Sequence, residues 1–226
     1  WVSSEGGNTS ESELTLSSLD LSPKIAGLYS EITGSMIAQA SGAGAIGIEN
    51  LVRNDILAST SLLIDLAATA GSGSSGQPTG LDNTTGVNAV TLTTISTLSW
   101  AEAITMESMC LIDNALFGAN AGYILNASAV GLTKAKVKES GQASYVMEDD
   151  RINGHPVYIS NNVTTGSIYF GTDFSELLLA FWGAGPSVLV DPYTSSASGT
   201  VRIRVINYAD IGVRVPQAFT HASGGS

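Results

Sequence analysis

Three glycines near the middle of the chain have a spacing that suggests nucleotide chemistry. Gly71, Gly73 and Gly76 show the Gly-x-Gly-x-x-Gly pattern of a dinucleotide-binding turn. That turn needs a strand before the glycines and a helix after them, because the pyrophosphate binds at the helix N-terminus. Here a helical pattern precedes the glycines, and Pro78 and the β-branched run VNAVTLTTI follow them. The inverted order predicts a loop and no nucleotide site.

The other reactive side chains also favour structural roles. Glu148, Asp149 and Asp150 are consecutive, so their carboxylates point in different directions and indicate a solvated turn. His155 lies in the turn-forming segment NGHPV, and Cys110 lies among apolar residues as a small buried hydrophobe. One cysteine and two histidines supply too few ligands for zinc. We therefore predict no catalytic residue, no cofactor and no metal site.

Composition narrows the class of partner. Only 13% of the 226 residues are charged, against about 25% in a typical domain, and the net charge is −11. Sequence-independent binding to nucleic acid depends on Lys and Arg that neutralise phosphates, so this balance argues against it. Anionic membranes are disfavoured for the same reason. A surface so poor in charge is compatible with extensive contacts to neighbouring subunits.

The N-terminal segment indicates a two-stranded ribbon. Alternating apolar residues form its first strand, at Leu14, Leu16, Leu19 and Leu21. Ser22 and Pro23 mark a turn, and a second strand-like run extends from Lys24 to Ile32. Because an isolated ribbon is marginally stable in water, this one needs a partner surface.

Three helices are predicted from periodicity and capping signals, and the remainder of the chain is mostly β. The first runs from about residue 46 to 69, and its polar residues exclude a membrane span. Its apolar stripe is Ile48, Val52, Ile56, Leu63 and Leu66.

A capping box at Ser99 and Glu102 begins the second helix, with Trp100, Ile104, Leu111 and Ala115 on its apolar side. Asn126 or Ser128 caps a third, and short β-branched runs follow from residue 141. This order predicts an α+β fold with two lobes.

Several short motifs follow one another in an order that points to one family. After the first helix come GSGSSGQPTGL, YILNASAVGLTKAK, INGHPVYISNNV, IYFGTDFSELL and finally TVRIRVINYADIGVRVPQAF. Together they resemble the major capsid proteins of tailed bacteriophages, which share the Hong Kong 97-type capsid fold. Two departures occur: Ala127 stands where Pro is common in the family, and Thr172 is inserted before Asp173.

The resemblance implies four regions. Residues 1–32 would be the distal ribbon of the extension loop, and residues 33–81 the peripheral domain with its long spine helix and glycine-rich loop. Residues 82–195 would form most of a mixed axial domain, and residues 196–226 the closing strands of the peripheral domain. The family usually carries further segments before this point and none precedes Trp1, so the resemblance predicts a truncated product with impaired shell closure.

The implied function is structural. The resemblance predicts a subunit of a phage or prophage icosahedral capsid that assembles with neighbouring copies, as pentamers and hexamers, into a shell that encloses DNA without sequence-specific binding. Its location would be the virion, and the host cytoplasm during assembly. For Phe181 and Trp182 the residues themselves indicate core packing or subunit contact. The residues assigned to subunit contact are Leu14, Leu16, Leu19, Leu21, Phe181 and Trp182.

Three alternatives remain open at this point. An encapsulin-like nanocompartment shell shares the architecture and would need a cargo-binding pocket. A secreted β-rich binding or adhesin module is suggested by four Asn-x-Ser/Thr sequons, and glycan analysis would identify it. A nucleotide-dependent enzyme is suggested only by the three glycines, and a thermal-shift response to NAD or ATP would identify it.

Overall fold

The computed structural model describes residues 18–36, 45–141 and 143–224, without the side chains of residues 45–49 and 196. These residues form the predicted α+β fold, in which two sheets pack with helices. The helices are α1 (Ala45–Ala70), α2 (Trp100–Ile112) and α3 (Ala127–Ala135). The strands are β1 (Lys24–Thr33), β2 (Asn88–Leu92), β3 (Gly122–Leu125), β4 (Met147–Glu148), β5 (Arg151–Ile152), β6 (His155–Ile159), β7 (Ser167–Gly171), β8 (Leu177–Asp191), β9 (Thr200–Val213) and β10 (Phe219–Gly224). Within the described ranges, no helix combines the length and hydrophobicity needed to cross a bilayer.

The first sheet is antiparallel and has the strand order β1-β9-β8. β1 pairs with β9 along all ten of its residues. α1 packs on one face of the sheet, where Ile56 joins Ile32, Ile203 and Val205 in an apolar core. The pairing of β1 corrects the predicted ribbon: its second strand is present, but the described residues 18–23 form no strand beside it. Local alternation predicts that a strand exists, but it does not encode a partner that lies far away in sequence.

The second sheet is mixed and has the strand order β2-β10-β7-β3-β6-β5-β4. α2 and α3 contribute to an apolar core that also contains Tyr123 and Phe170. Tyr169 and Phe219 belong to another core, which begins at Leu81 beside the glycine-rich loop. Alternate residues of β7 thus enter two different cores, which fixes the register of the central strand.

The strand pairings cross the predicted region boundaries. β8 falls in the predicted axial region 82–195 but pairs with β9 in the three-stranded sheet. β10 falls in the predicted closing region 196–226 but pairs with β2 and β7 in the seven-stranded sheet. The chain therefore enters and leaves each sheet more than once.

α2 begins with the predicted capping box, in which Ser99 and Glu102 each accept a hydrogen bond from the other's backbone amide. The predicted apolar side is partly wrong, since Leu111 is exposed while Glu102 and Glu107 are buried. Both glutamates are stabilised by internal hydrogen bonds. The Thr93 amide donates to Glu102 at 2.6 Å, and the Tyr123 hydroxyl donates to Glu107 at 2.7 Å. Satisfied carboxylates can occupy a buried helix face that hydropathy would assign to apolar residues.

α1 agrees with its predicted bounds to within a residue at each end, and the glycine-rich segment after it is a loop, as predicted. The loop is closed at its base, because the Gly80 amide donates to the Gly71 carbonyl at 2.9 Å. A Cβ added at Gly71 would lie 2.4 Å from the carbonyl oxygens of Ala67 and Pro78. Glycine is therefore required at this position by close backbone contact.

Gly71→Ala should lower the free energy of unfolding by about 1–3 kcal/mol, because its methyl group enters occupied space. Gly131→Ala is the matched control, since Gly131 lies within α3 and an added Cβ there meets nothing within 4 Å. This second change should instead raise stability by about 0.5–1 kcal/mol. Urea denaturation of both variants measures the difference, and equal effects would contradict the closed-loop geometry.

Candidate assembly surface

Three side chains of the types used in nucleophilic catalysis lie together beside the seven-stranded sheet. The Nε2 atom of His221 lies 3.0 Å from Oγ of Ser167 and 3.4 Å from Oδ1 of Asp82. Tyr169 donates its hydroxyl to the same Asp82 oxygen at 2.5 Å, and its ring stacks on the imidazole at 5.0 Å. No sequence motif predicted this cluster, because its members come from distant segments.

The geometry of this cluster does not suit a serine-histidine-aspartate relay. Such a relay uses one imidazole nitrogen for the serine and the other for the carboxylate, whereas both contacts here involve Nε2. Ser167 is also only 6% exposed. Burial lowers the pKa of His221, and the charge of Asp82 only partly opposes this. Burial and the hydrogen bond to Asp82 raise the pKa of Tyr169. The cluster connects the segment after the glycine-rich loop to β7 and β10.

The reactive side chains that the sequence analysis considered lie in the core, in a turn or in a strand. Cys110 is fully buried with its sulfur 3.1 Å from the Thr220 hydroxyl, and burial raises the pKa of its thiol. Asp149 and Asp150 form the turn between β4 and β5, with φ of 50° and 56°, which confirms the predicted turn. His155 begins β6 instead of lying in a turn, and its ring lies 4.9 Å from that of Phe117. Across the described ranges, no three His, Cys, Asp or Glu side chains group as metal ligands.

A groove of about 450 Å³ lies between β1, the C-terminal half of α1 and the glycine-rich loop. Leu63, Leu66 and Ile211 are among its apolar lining residues, and residues of the loop also line it. Lys24, the charged residue in these walls, has its ammonium 2.8 Å from Asp210. The loop follows the C-terminus of α1, which is the negative end of the helix dipole and therefore disfavours a bound phosphate.

The face of the three-stranded sheet opposite α1 carries a set of uncovered apolar side chains. Because side chains alternate across a strand, the residues that face away from α1 can be identified from the pairing register. Ile25 and Tyr29 are each 63% exposed, Leu189 is 56% exposed and Tyr208 is 42% exposed. We call this surface the open face and define it by Ile25, Tyr29, Trp182, Leu189, Ile206 and Tyr208.

One end of the open face is apolar and the other is charged, and the exposed Arg204 lies between Tyr29 and Leu189. Trp182 and Ile25 lie on either side of Tyr208, whereas Glu31 and Asp191 lie on either side of Arg202 at the other end. The Arg202 guanidinium contacts Glu31 at 2.6 Å and lies 4.7 Å from the Tyr29 ring centroid. An apolar centre beside a polar rim is the usual composition of a protein interface.

The structure distributes the predicted contact residues over different surfaces. Trp182 lies on the open face, whereas Phe181, its neighbour, points to the other face and remains exposed there. Leu19 and Leu21 pack over Gly212 of their own chain, and Leu19 stays exposed on its other side. Leu14 and Leu16 lie outside the described residues. Sequence reasoning missed Ile25, Tyr29, Leu189 and Tyr208, because alternation does not reveal which face of a sheet a helix covers.

The fold and this surface together define a class of protein, namely an α+β protein that leaves one sheet face uncovered. A family model for the phage capsid family matches residues 1–224, so the chain belongs to that family. The major capsid protein of Halomonas phage phiHAP-1 is 31% identical over 219 residues, which are 96% of this chain and 35% of that protein. The chain thus spans about a third of the length of this curated relative.

Solved structures show the same fold at low sequence identity. A structure from Gordonia phage Cozz superposes with a TM-score of 0.71 at 15% identity, covering 100% of this chain and 77% of its own. The capsid of a native GTA particle gives a TM-score of 0.66 at 17% identity, and the match covers 90% of this chain and 73% of that one. The predicted Hong Kong 97-type fold is therefore confirmed.

The buried His221 makes stability depend on pH. Because burial holds its pKa below the ordinary value of about 6.5, the unfolded chain binds a proton more readily than the folded chain. The contribution of His221 is complete above pH 6.5 and decreases as the pH falls towards the folded-state value. We expect the urea midpoint to fall less between pH 7 and pH 5 in His221→Asn than in the unsubstituted chain. His155→Asn is the control and should retain the full decrease; an equal decrease in all three chains would contradict this role.

Proposed function

We propose that this chain is the structural subunit of an icosahedral phage or prophage capsid, assembling with copies of itself into a shell around DNA. The observation that carries the proposal is the open face, which presents exposed apolar side chains on three strands. Membership of the phage capsid family supports it. In this proposal, copies of the chain form the pentamers and hexamers of the shell. The assembled chain is located in the virion, and assembly takes place in the host cytoplasm.

The architecture supports an assignment of the two sheets. We assign α1 and the three-stranded sheet to a peripheral domain, and the seven-stranded sheet with α2 and α3 to an axial domain that meets its copies around a symmetry axis. The segment before β1 would belong to the extension loop that reaches a neighbouring copy. Leu14, Leu16, Leu19, Leu21, Phe181 and Trp182 remain candidate contact residues in this arrangement.

Charge supports a container function with respect to DNA. A net charge of −11 gives the chain little affinity for phosphates, so enclosed DNA would be held by the closed shell rather than by binding. Repulsion between the wall and DNA acts over a Debye length of about 8 Å at physiological salt. The nanocompartment and adhesin alternatives are not favoured, because the 31% identical relative is a phage major capsid protein.

Ile25→Thr combined with Leu189→Thr tests the open face. Both positions are exposed, and threonine retains strand propensity, so the fold should persist. Burial of two such side chains contributes about 1.5–3 kcal/mol each, so we expect self-association to weaken by about 100-fold or more. Sedimentation velocity and electron microscopy of the 226-residue chain measure this.

Lys136→Gln is the control for that experiment, since it changes an exposed residue after α3, away from the three-stranded sheet. It should associate like the unsubstituted chain, and circular dichroism should be unchanged in every variant. An unsubstituted chain that stays monomeric at high micromolar concentration would contradict the proposed function. Undiminished association of the double variant would exclude the open face as the contact.

A further inference from the structure

The segment before β1 crosses the three-stranded sheet on its open-face side. Side chains of β9 alternate, so Asp210 and Gly212 point to the same side as Tyr208. Ser22 donates its backbone amide to Asp210 at 2.9 Å, and Lys24 donates its ammonium to the same carboxylate at 2.8 Å. Residues 19–22 therefore lie over the end of β9, next to the apolar part of the open face.

Gly212 provides the space that this crossing needs. A Cβ at Gly212 would lie 2.7 Å from Cδ2 of Leu21 and 3.0 Å from Cδ2 of Leu19. The missing side chain lets both leucines approach the β9 backbone closely. Asp210 and Gly212, two residues apart on one strand, thus hold the segment by a polar contact and an apolar contact.

The carboxylate of Asp210 is built into this contact. Its side chain is only 3% exposed, and it also accepts the Ile211 amide at 2.9 Å. Burial alone would raise the pKa of Asp210, but hydrogen bonds from Lys24, Ser22 and Ile211 outweigh burial and lower it. The group is therefore charged at neutral pH and fully engaged with the crossing segment and its own strand.

We infer that Asp210 and Gly212 are positioning residues for assembly, which hold residues 19–22 against the three-stranded sheet beside the open face. β1 is already held by ten pairs with β9, whereas residues 18–23 belong to no strand. Side-chain contacts therefore determine the path of this segment, and that path is set relative to the open face. The inference rests on the proposed function, since the segment lies beside the surface on which a second copy of the chain would bind.

Three variants test the inference in the 226-residue chain. Asp210→Ala removes every acceptor, Asp210→Asn keeps one side-chain acceptor, and Gly212→Ala displaces the leucines while leaving the carboxylate. Asp150→Asn is the matched control, because Asp150 is an exposed carboxylate that bonds Lys134 beside the other sheet, away from the open face. Hydrogen-deuterium exchange measures the segment and the strands separately, and sedimentation velocity measures association.

We expect Asp210→Ala to speed exchange of the Ser22 amide at least tenfold and to weaken association at least tenfold, with exchange of β1 and β9 changed less than twofold. Asp210→Asn should give intermediate values, Gly212→Ala should reproduce the loss, and Asp150→Asn should match the unsubstituted chain. Asp210→Ala and Gly212→Ala chains that associate normally would overturn the inference and leave the proposed function intact. Monomeric unsubstituted and Asp150→Asn chains would overturn the proposed function, and the assembly role with it. If Asp210→Ala does not fold, the Asp210→Asn and Gly212→Ala chains still decide between these outcomes.

Discussion

A β-sheet has two faces, and each apolar face gains stability only when something covers it. In the three-stranded sheet, α1 covers one face with Ile56 and its neighbours, and residues 19–22 cover one end of the other. The remaining open face carries tyrosine, tryptophan and aliphatic side chains in contact with solvent. This incomplete coverage is the feature on which the interpretation of the whole chain depends, because a second copy can complete what one chain leaves exposed.

Local signals in the sequence predicted the local structure well. The capping box at Ser99, the Asn126 cap and the consecutive turn residues Asp149 and Asp150 act within a few residues, and each is present as predicted. The partner of β1 could not be predicted in this way, because pairing with β9 joins segments at opposite ends of the chain. The open face was missed for a related reason: alternation identifies two faces but not the one that α1 covers.

Buried polar groups explain the other errors. Glu107 occupies the buried side of α2 because Tyr123 and Asn153 both donate to its carboxylate. Asp82 and His221 meet beside β7 although they are far apart in sequence. In both cases, residue types that catalysis uses are satisfied by one another and join separate elements. Such groups stabilise a fold when their hydrogen bonds are complete, and their pairing depends on tertiary geometry that hydropathy does not record.

The composition of the open face also bears on how strong a single contact between copies should be. Its apolar centre would provide association energy, while Arg202, Glu31 and Asp191 at one end remain solvated and limit it. A shell needs each contact to be weak enough to break when a subunit is misplaced, yet it gains stability because every subunit makes several contacts at once. A large, fully apolar face would trap errors and would also aggregate before assembly. A partly polar face, oriented by a separately anchored segment, satisfies both requirements within one small sheet.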